Sequence, residues 1–473
     1  MSEPKNLRIL MATPLDFDRT WNNREHNVLR FLAARGHRVT MLYRRVNSSK
    51  RIGDLMGDTC TWRVDERWKG RHRLVCVDSF FNYAAGIRVE ADAQAQGGAV
   101  RWSPKYLIVR LMSPLRILRD VFAVPCVLAT ALRRLRRPYH VCIGFGPWGF
   151  LTAWVLQRWG RVKFTVYEDR DFEPGLVPDR IRRGYTSALE RFGLRRADLV
   201  VCVSESLAAL RRRQVEREVN IVPTGVQWAD FASARDRQGH GHVLIHVGKV
   251  ISWCGLSVVL EALPRILAAF PDARLMVVGD GPRTYVNHLK KMAQENGVES
   301  AVTFLGQRPN GELPILLAQA DIGLVNSEPV EYRKYARPLK LAEYMAAGLP
   351  TLATEGTEAG ELVTRYHCGI AAAYEPKSVA DAVLGMFGRP GRMEEYRANA
   401  IRISQEWDWN RLLELEMKLI EVHLGRWVEK NSQTRPLGSR GPRNPITKST
   451  PTKSAASPHA GRGEPVLDVR TRV

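Results

Sequence analysis

Short apolar runs rich in Val, Ile and Leu alternate with longer segments of helical period along most of the chain. Runs of this kind, apolar on both faces, belong in a parallel sheet with helices packed on either side. The first are LRILMAT (Leu7 to Thr13) and HRVTMLY (His37 to Tyr43), joined by the helix-like NREHNVLRFLAARG, where Gly36 suits a left-handed C-terminal cap. HVCIGFG, KFTVYED, DLVVCVS and VNIVPTG follow, and the first sheet is expected to close near Gly225. After the polar stretch ASARDRQGHGH the alternation restarts with VLIHVGK, ARLMVVGDG, VTFLG, DIGLVNS, PTLAT and HCGIAAA. This predicts a second doubly wound domain over roughly Val243 to Phe387.

The expected class is therefore α/β, with residues 1–235 and 236–390 forming two Rossmann-like doubly wound domains. Residues 391–430, carrying Trp407, Trp409 and Trp427, read as helices that cover one or both of them. Residues 431–473 form a basic tail rich in Ser, Thr, Pro, Gly and Arg and are expected to be disordered. Two open sheets imply a cleft, and their ligands bind beyond the carboxyl ends of the strands, where loops and helix N-termini converge.

A length of 473 residues and a 45% hydrophobic content supply enough core for two domains. The seven cysteines are scattered and never form a CxxC pair, which speaks against a disulfide framework and a zinc site. The start, MSEPKNLRIL, lacks a basic region followed by a long apolar run, so a cytoplasmic location is expected. A formal charge of +22 directs attention to polyanions. Between Arg101 and Arg137, basic residues punctuate the apolar pieces YLIVRLMSPLRIL and VFAVPCVLATAL, each shorter than the ~20 residues that a membrane span needs. One reading is a cationic surface that lies peripherally on the inner face of an anionic membrane; the other is a solvated helix face over an ordinary core. A nucleic-acid partner is not expected, because no zinc-finger, helix-turn-helix or RNP signature occurs.

Chemistry concentrates just after the strands. In KYARPLKLAEYMAAGLPTLAT (Lys334 to Thr354), Pro338 suits the first turn of a helix, and Arg337 and Lys340 then stand at its N-terminus as an anion site. Leu341, Met345 and Leu349 have the spacing to pack inward, while Glu343 either accepts from the vicinal hydroxyls of a ribose or pairs with Lys340. Gly248 and Lys249 follow the first strand of the second domain, and Gly279 lies in VVGDGP, a turn without the GKS or GKT of a P-loop. In the first domain VYEDRDFEPG (Val166 to Gly175) sets Glu168, Asp169, Asp171 and Glu173 on the cleft rim. Asp169 and Asp171 are the candidates for handling the proton of an acceptor hydroxyl. No metal is expected there, since no His or Cys converges on them and Arg170 repels a cation.

Taken in order, LRILMAT, ARGHRVTMLY, ADLVVCVSESLAALR, VNIVPTGVQWADF, VLIHVGK, LMVVGDGP, VTFLGQ, ADIGLVNS and EYMAAGLPTLAT resemble the GT-B glycosyltransferases of group 1, glycosyltransferase family 4, up to about Gly425. The resemblance implies two Rossmann-like domains, a nucleoside-diphosphate sugar held mainly by the second, a glycan or lipid-linked acceptor facing the first, retention at the anomeric carbon, and no cofactor. The donor residues it implies, together with those read above, are Gly248, Lys249, Gly279, Arg337, Lys340, Leu341 and Glu343. Relatives carry a glutamate eight positions before the one at Glu343, where this chain has Tyr335, and a lysine where it has Cys254. The helix instead matches a subset with Pro-x-Lys-x-x-Glu-Tyr-Met, so Lys340 is expected to compensate for Cys254, and Glu328 or Glu331 to replace the missing acid. A sugar-nucleotide epimerase of the same architecture and a non-catalytic, transferase-like binding subunit are the alternatives.

Overall fold

In the computed structural model, which describes residues 6–13, 23–45, 64–69, 72–78, 132, 133, 135, 137–176, 180–236 and 241–433, the strands form two separate sheets. The first contains β1 (Arg8–Thr13), β2 (Arg38–Arg45), β3 (Val64–Lys69), β4 (His72–Asp78), β5 (Tyr139–Phe145), β6 (Val162–Asp169), β7 (Leu199–Cys202) and β8 (Asn220–Ile221) in the order β3-β4-β2-β1-β5-β6-β7-β8. All its pairings are parallel except β3 with β4. That antiparallel edge pair was not anticipated, because VDERWK carries charges where a buried strand would be apolar.

The second sheet contains β9 (Val243–Val247), β10 (Arg274–Val278), β11 (Val302–Gly306), β12 (Ile322–Val325), β13 (Thr351–Thr354) and β14 (Gly369–Ala372). All its pairings are parallel, in the order β11-β10-β9-β12-β13-β14, so the winding reverses between β9 and β12. In open sheets a ligand sits in the crevice where the loops after two such strands part. The loop after β9 holds Gly248 and Lys249, and the loop after β12 leads to the helix Leu339–Ala346.

Local chemistry sets the helix ends. The first helix, α1 (Arg24–Ala34), closes with Gly36 at φ 87°, its amide donating to Ala33 and that of His37 to Leu32. The helix Leu339–Ala346 ends the same way: Gly348 at φ 68° donates to Met345, and Leu349 to Tyr344. These are Schellman caps, in which a glycine takes the left-handed position at low steric cost.

The helices Pro390–Glu406 and Trp409–Gln433 follow the second sheet. Between them the chain returns to the first domain, where Val226 donates to the carbonyl of Trp407 and accepts from the amide of Trp409. Arg24 in α1 is fully buried between Glu168 of β6 and Glu416 of the last helix, with Nε 2.8 Å from Glu168. The close contact explains Gly225: a Cβ there would lie 2.7 Å from the Trp407 carbonyl oxygen. One apolar core joins both sheets to these helices up to Ile420. Residues up to Trp427 form one unit, and those from Val428 a second. The basic tail beyond residue 433 lies outside the described residues, as does the segment from Arg101 to Arg137 except for residues 132, 133, 135 and 137. Among the described residues no helix is long and apolar enough to cross a membrane.

Candidate functional site

Two glycine turns form the floor of the second-domain crevice. Gly248 (φ 120°) and Gly279 (φ 131°) both occupy backbone conformations that side chains resist. The loops they belong to are fastened together by Gly248 N–H to the Val278 carbonyl at 2.9 Å and Val250 N–H to the Asp280 carbonyl at 3.0 Å. A Cβ on Gly279 would lie 1.7 Å from the Gly248 oxygen, so only glycine permits this approach. Lys249, next to Gly248, is exposed and in no ion pair among the described residues.

The helix Leu339–Ala346 supplies the wall, with Pro338 at its N-cap, one position earlier than expected. Tyr344 anchors it: its hydroxyl accepts from the Val247 amide at 2.9 Å, and its ring lies against Gly323, where a Cβ would be 2.5 Å from Cδ2. This fixes the rotation of the helix and leaves Lys340 and Glu343 half-buried at the crevice without an ion pair between them. Burial pushes the Lys340 ammonium below its ordinary value, and pushes the Glu343 carboxyl up to about 7 against the pull of Lys340. Buried His246 on β9 is held well below the usual imidazole range by desolvation and then by Lys340.

Two expected donor residues lie elsewhere. Leu341 is in the core and its amide donates to the Pro338 carbonyl at 3.2 Å, so its side chain is not offered to a ligand. Arg337 lies 3.9 Å over the ring of Trp407, with Glu358, Tyr366 and Arg365 as its electrostatic neighbours. The N-terminal cations are thus split: Lys340 faces the crevice, and Arg337 faces the C-terminal helices. Burial lowers Arg337 to about 10.

Arg333 was not singled out from the sequence. Its guanidinium sits 4.0 Å over Trp253 and 4.7 Å over Tyr332, within electrostatic reach of Lys340 and of Asp171 across the cleft. Cys254, beside Trp253 in the loop after β9, is buried next to Lys340. The available signal was the position of the Arg333–Lys334 doublet after β12, at the reversal of strand order.

In the first domain the four rim acids separate into distinct environments. Asp169 is buried and bonded through both oxygens to Arg211, at 2.6 and 3.2 Å, which removes it from the candidates for proton handling. Glu168 is likewise committed to Arg24. Glu173 is pushed up to about 8 by burial and then by Glu190. Asp171 is half-buried, makes no hydrogen bond or ion pair among the described residues, and is raised by burial to about 6 against the pull of Arg170 and Arg333.

The acidic loop meets the second domain directly. Phe172 packs edge-on against Tyr335 with ring centroids 5.4 Å apart, and Ser204 donates to the Tyr335 carbonyl at 2.8 Å. Tyr335 therefore fills an apolar domain contact. Glu328 and Glu331, the candidates to replace an acid there, are both exposed. Among the described residues no group of three or more His, Cys, Asp or Glu is arranged to hold a metal ion.

Residues 241–388 match the family model "Glycosyl transferases group 1", and residues 22–225 match "Glycosyl transferase 4-like domain". Similar proteins include the 2-deoxystreptamine glucosyltransferase of Streptomyces kanamyceticus, 27% identical over 44% of this chain and 56% of that one. The phosphatidyl-myo-inositol mannosyltransferase of Mycobacterium leprae is 24% identical over 42% of this chain and 53% of its own length. The chain thus spans about half the length of these curated relatives. Among solved structures, sucrose-phosphate synthase of Thermosynechococcus elongatus superposes with a TM-score of 0.66 at 16% identity, covering 89% of this chain and all of that one. HepE of Anabaena in complex with UDP and glucose gives 0.59 at 16% identity, covering 88% and 100%.

Proposed function

From a chain of GT-B architecture whose two halves are a glycosyl transferase 4-like domain and a group 1 glycosyl transferase domain, we propose a transferase that moves a sugar from a nucleoside diphosphate to an acceptor hydroxyl. The observation that carries this is the half-buried Lys340 and Glu343 at the strand reversal, in no ion pair among the described residues, with Arg333 within electrostatic reach of both Lys340 and Asp171 of the first domain. A half-buried cation and a half-buried carboxylate that form no ion pair have lost part of their hydration, which a ligand can replace. A nucleoside diphosphate suits both, with phosphates for Lys340 and Lys249 and ribose hydroxyls for Glu343.

In this reading the bond between the anomeric carbon and the diphosphate oxygen breaks while the acceptor oxygen bonds to that carbon. Lys249, Lys340 and the Gly248 turn meet the charge that grows on the departing diphosphate, the task a divalent metal performs in other sites. Asp171 orients the acceptor hydroxyl. With retention of configuration, the departing phosphate takes the hydroxyl proton and no protein nucleophile is needed. The acceptor is a glycan or lipid-linked hydroxyl, and any approach to an anionic membrane would be peripheral.

Incubation with a panel of nucleoside-diphosphate sugars, with and without candidate acceptors, tests the reading by release of nucleoside diphosphate. Acceptor-dependent release supports it. Acceptor-independent turnover of the donor favours an epimerase, and binding without turnover favours a non-catalytic subunit.

A further inference from the structure

Resting on the sugar-nucleotide reading above, we propose that Arg333 is the second phosphate-binding cation of the donor site, supplied by the loop after β12 in place of the cation that the loop after β9 lacks at Cys254. Arg333 and Lys340 carry like charges within electrostatic reach of each other, and among the described residues neither is in an ion pair. The buried arginines Arg24 and Arg211 are by contrast each held by two carboxylates. Two cations brought together, with Glu343 and Asp171 nearby but neither cation in an ion pair with them, make an anion site.

The arrangement also fits the topology and the local packing. The winding of the second sheet reverses between β9 and β12, so the loops bearing Lys249 and Arg333 stand on either side of the crevice. Trp253 and Tyr332 hold the guanidinium by stacking, and Tyr332 also hydrogen-bonds it. Its Nε is buried and has no hydrogen-bond partner. Cys254 and Arg333 both lie close to Lys340, so a cation moved from one loop to the other still serves the same anion.

Calorimetric titration of UDP, UMP, GDP and GMP tests this on the wild-type chain and on Arg333→Ala, Arg333→Lys and Arg333→Ala combined with Cys254→Lys, each checked for an unchanged unfolding temperature. Arg333→Ala is expected to weaken diphosphate binding by about 10- to 100-fold and to leave monophosphate binding nearly unchanged. Arg333→Lys should fall between, and the added lysine at position 254 should restore much of the loss. A folded Arg333→Ala variant that binds the diphosphate like wild type, or that loses mono- and diphosphate equally, overturns the proposal. A folded double variant that regains nothing overturns the exchange of one cation for the other. Wild-type protein that binds neither diphosphate removes the sugar-nucleotide reading itself, and the proposal with it.

Discussion

Lys340 and Glu343 stand three positions apart on one helix, both half-buried, and do not form an ion pair. Helical spacing alone would have favoured a pair. The Tyr344 hydroxyl fixed to the Val247 amide, with its ring against Gly323, sets the helix rotation that leaves both groups toward the crevice. Because burial raises the Glu343 carboxyl to about 7, a donor whose ribose needs the carboxylate must release a proton on binding below that pH. Donor affinity should therefore rise with pH through about 7. Titrations of a nucleotide sugar at several pH values should show this rise in wild type and a flat profile in Glu343→Gln.

The two first-domain aspartates should fail in different ways. Asp171→Asn is expected to lower turnover by about 100-fold through lost acceptor orientation, with donor affinity and unfolding temperature kept. Asp169→Ala removes the carboxylate that holds the buried Arg211 through both oxygens, leaving it to Glu190 alone, and should destabilise the fold by about 3 kcal/mol or more, read by denaturant unfolding. Equal losses of turnover at unchanged stability would make the aspartates equivalent and contradict the separation.

The two loop glycines make a graded comparison. In Gly279→Ala a new Cβ would meet the Gly248 oxygen at 1.7 Å in addition to the strain of φ 131°, whereas at Gly248 the space is open and only the strain of φ 120° remains. Losses on the order of 3 kcal/mol and about 1 kcal/mol are expected. Thermal unfolding of the two variants checks the order.

Turnover is expected to persist in excess EDTA, because Lys249, Lys340 and backbone amides are assigned to the diphosphate. Loss with chelator and recovery with magnesium or manganese would transfer that role to a metal.

The parallel sheets were legible because their strands are continuous apolar runs, and two sheets implied a cleft, but the reversal of winding between β9 and β12 that marks the crevice came only from the strand order. The β3–β4 pair was hidden by the charged VDERWK. Lys340 and Glu343 stood out as lone charges among apolar positions, but the orientation of Arg337 toward Trp407 depends on the end of the helix Pro390–Glu406, far along the chain. Asp169 and Asp171 look alike in EDRD; only the partner Arg211, from another helix, tells them apart. Arg333 lay in a loop with no periodicity to mark it, and its significance comes from the rings that hold it.

Donor binding to Lys340→Ala and Glu343→Ala, measured calorimetrically with the nucleotide sugar that wild type turns over, tests the assignment of the donor site most directly. Each variant should keep the wild-type unfolding temperature and lose about 1.5 to 3 kcal/mol of binding free energy, as expected for a charge-assisted contact. Unchanged affinity in both variants would contradict the placement of the donor at this helix.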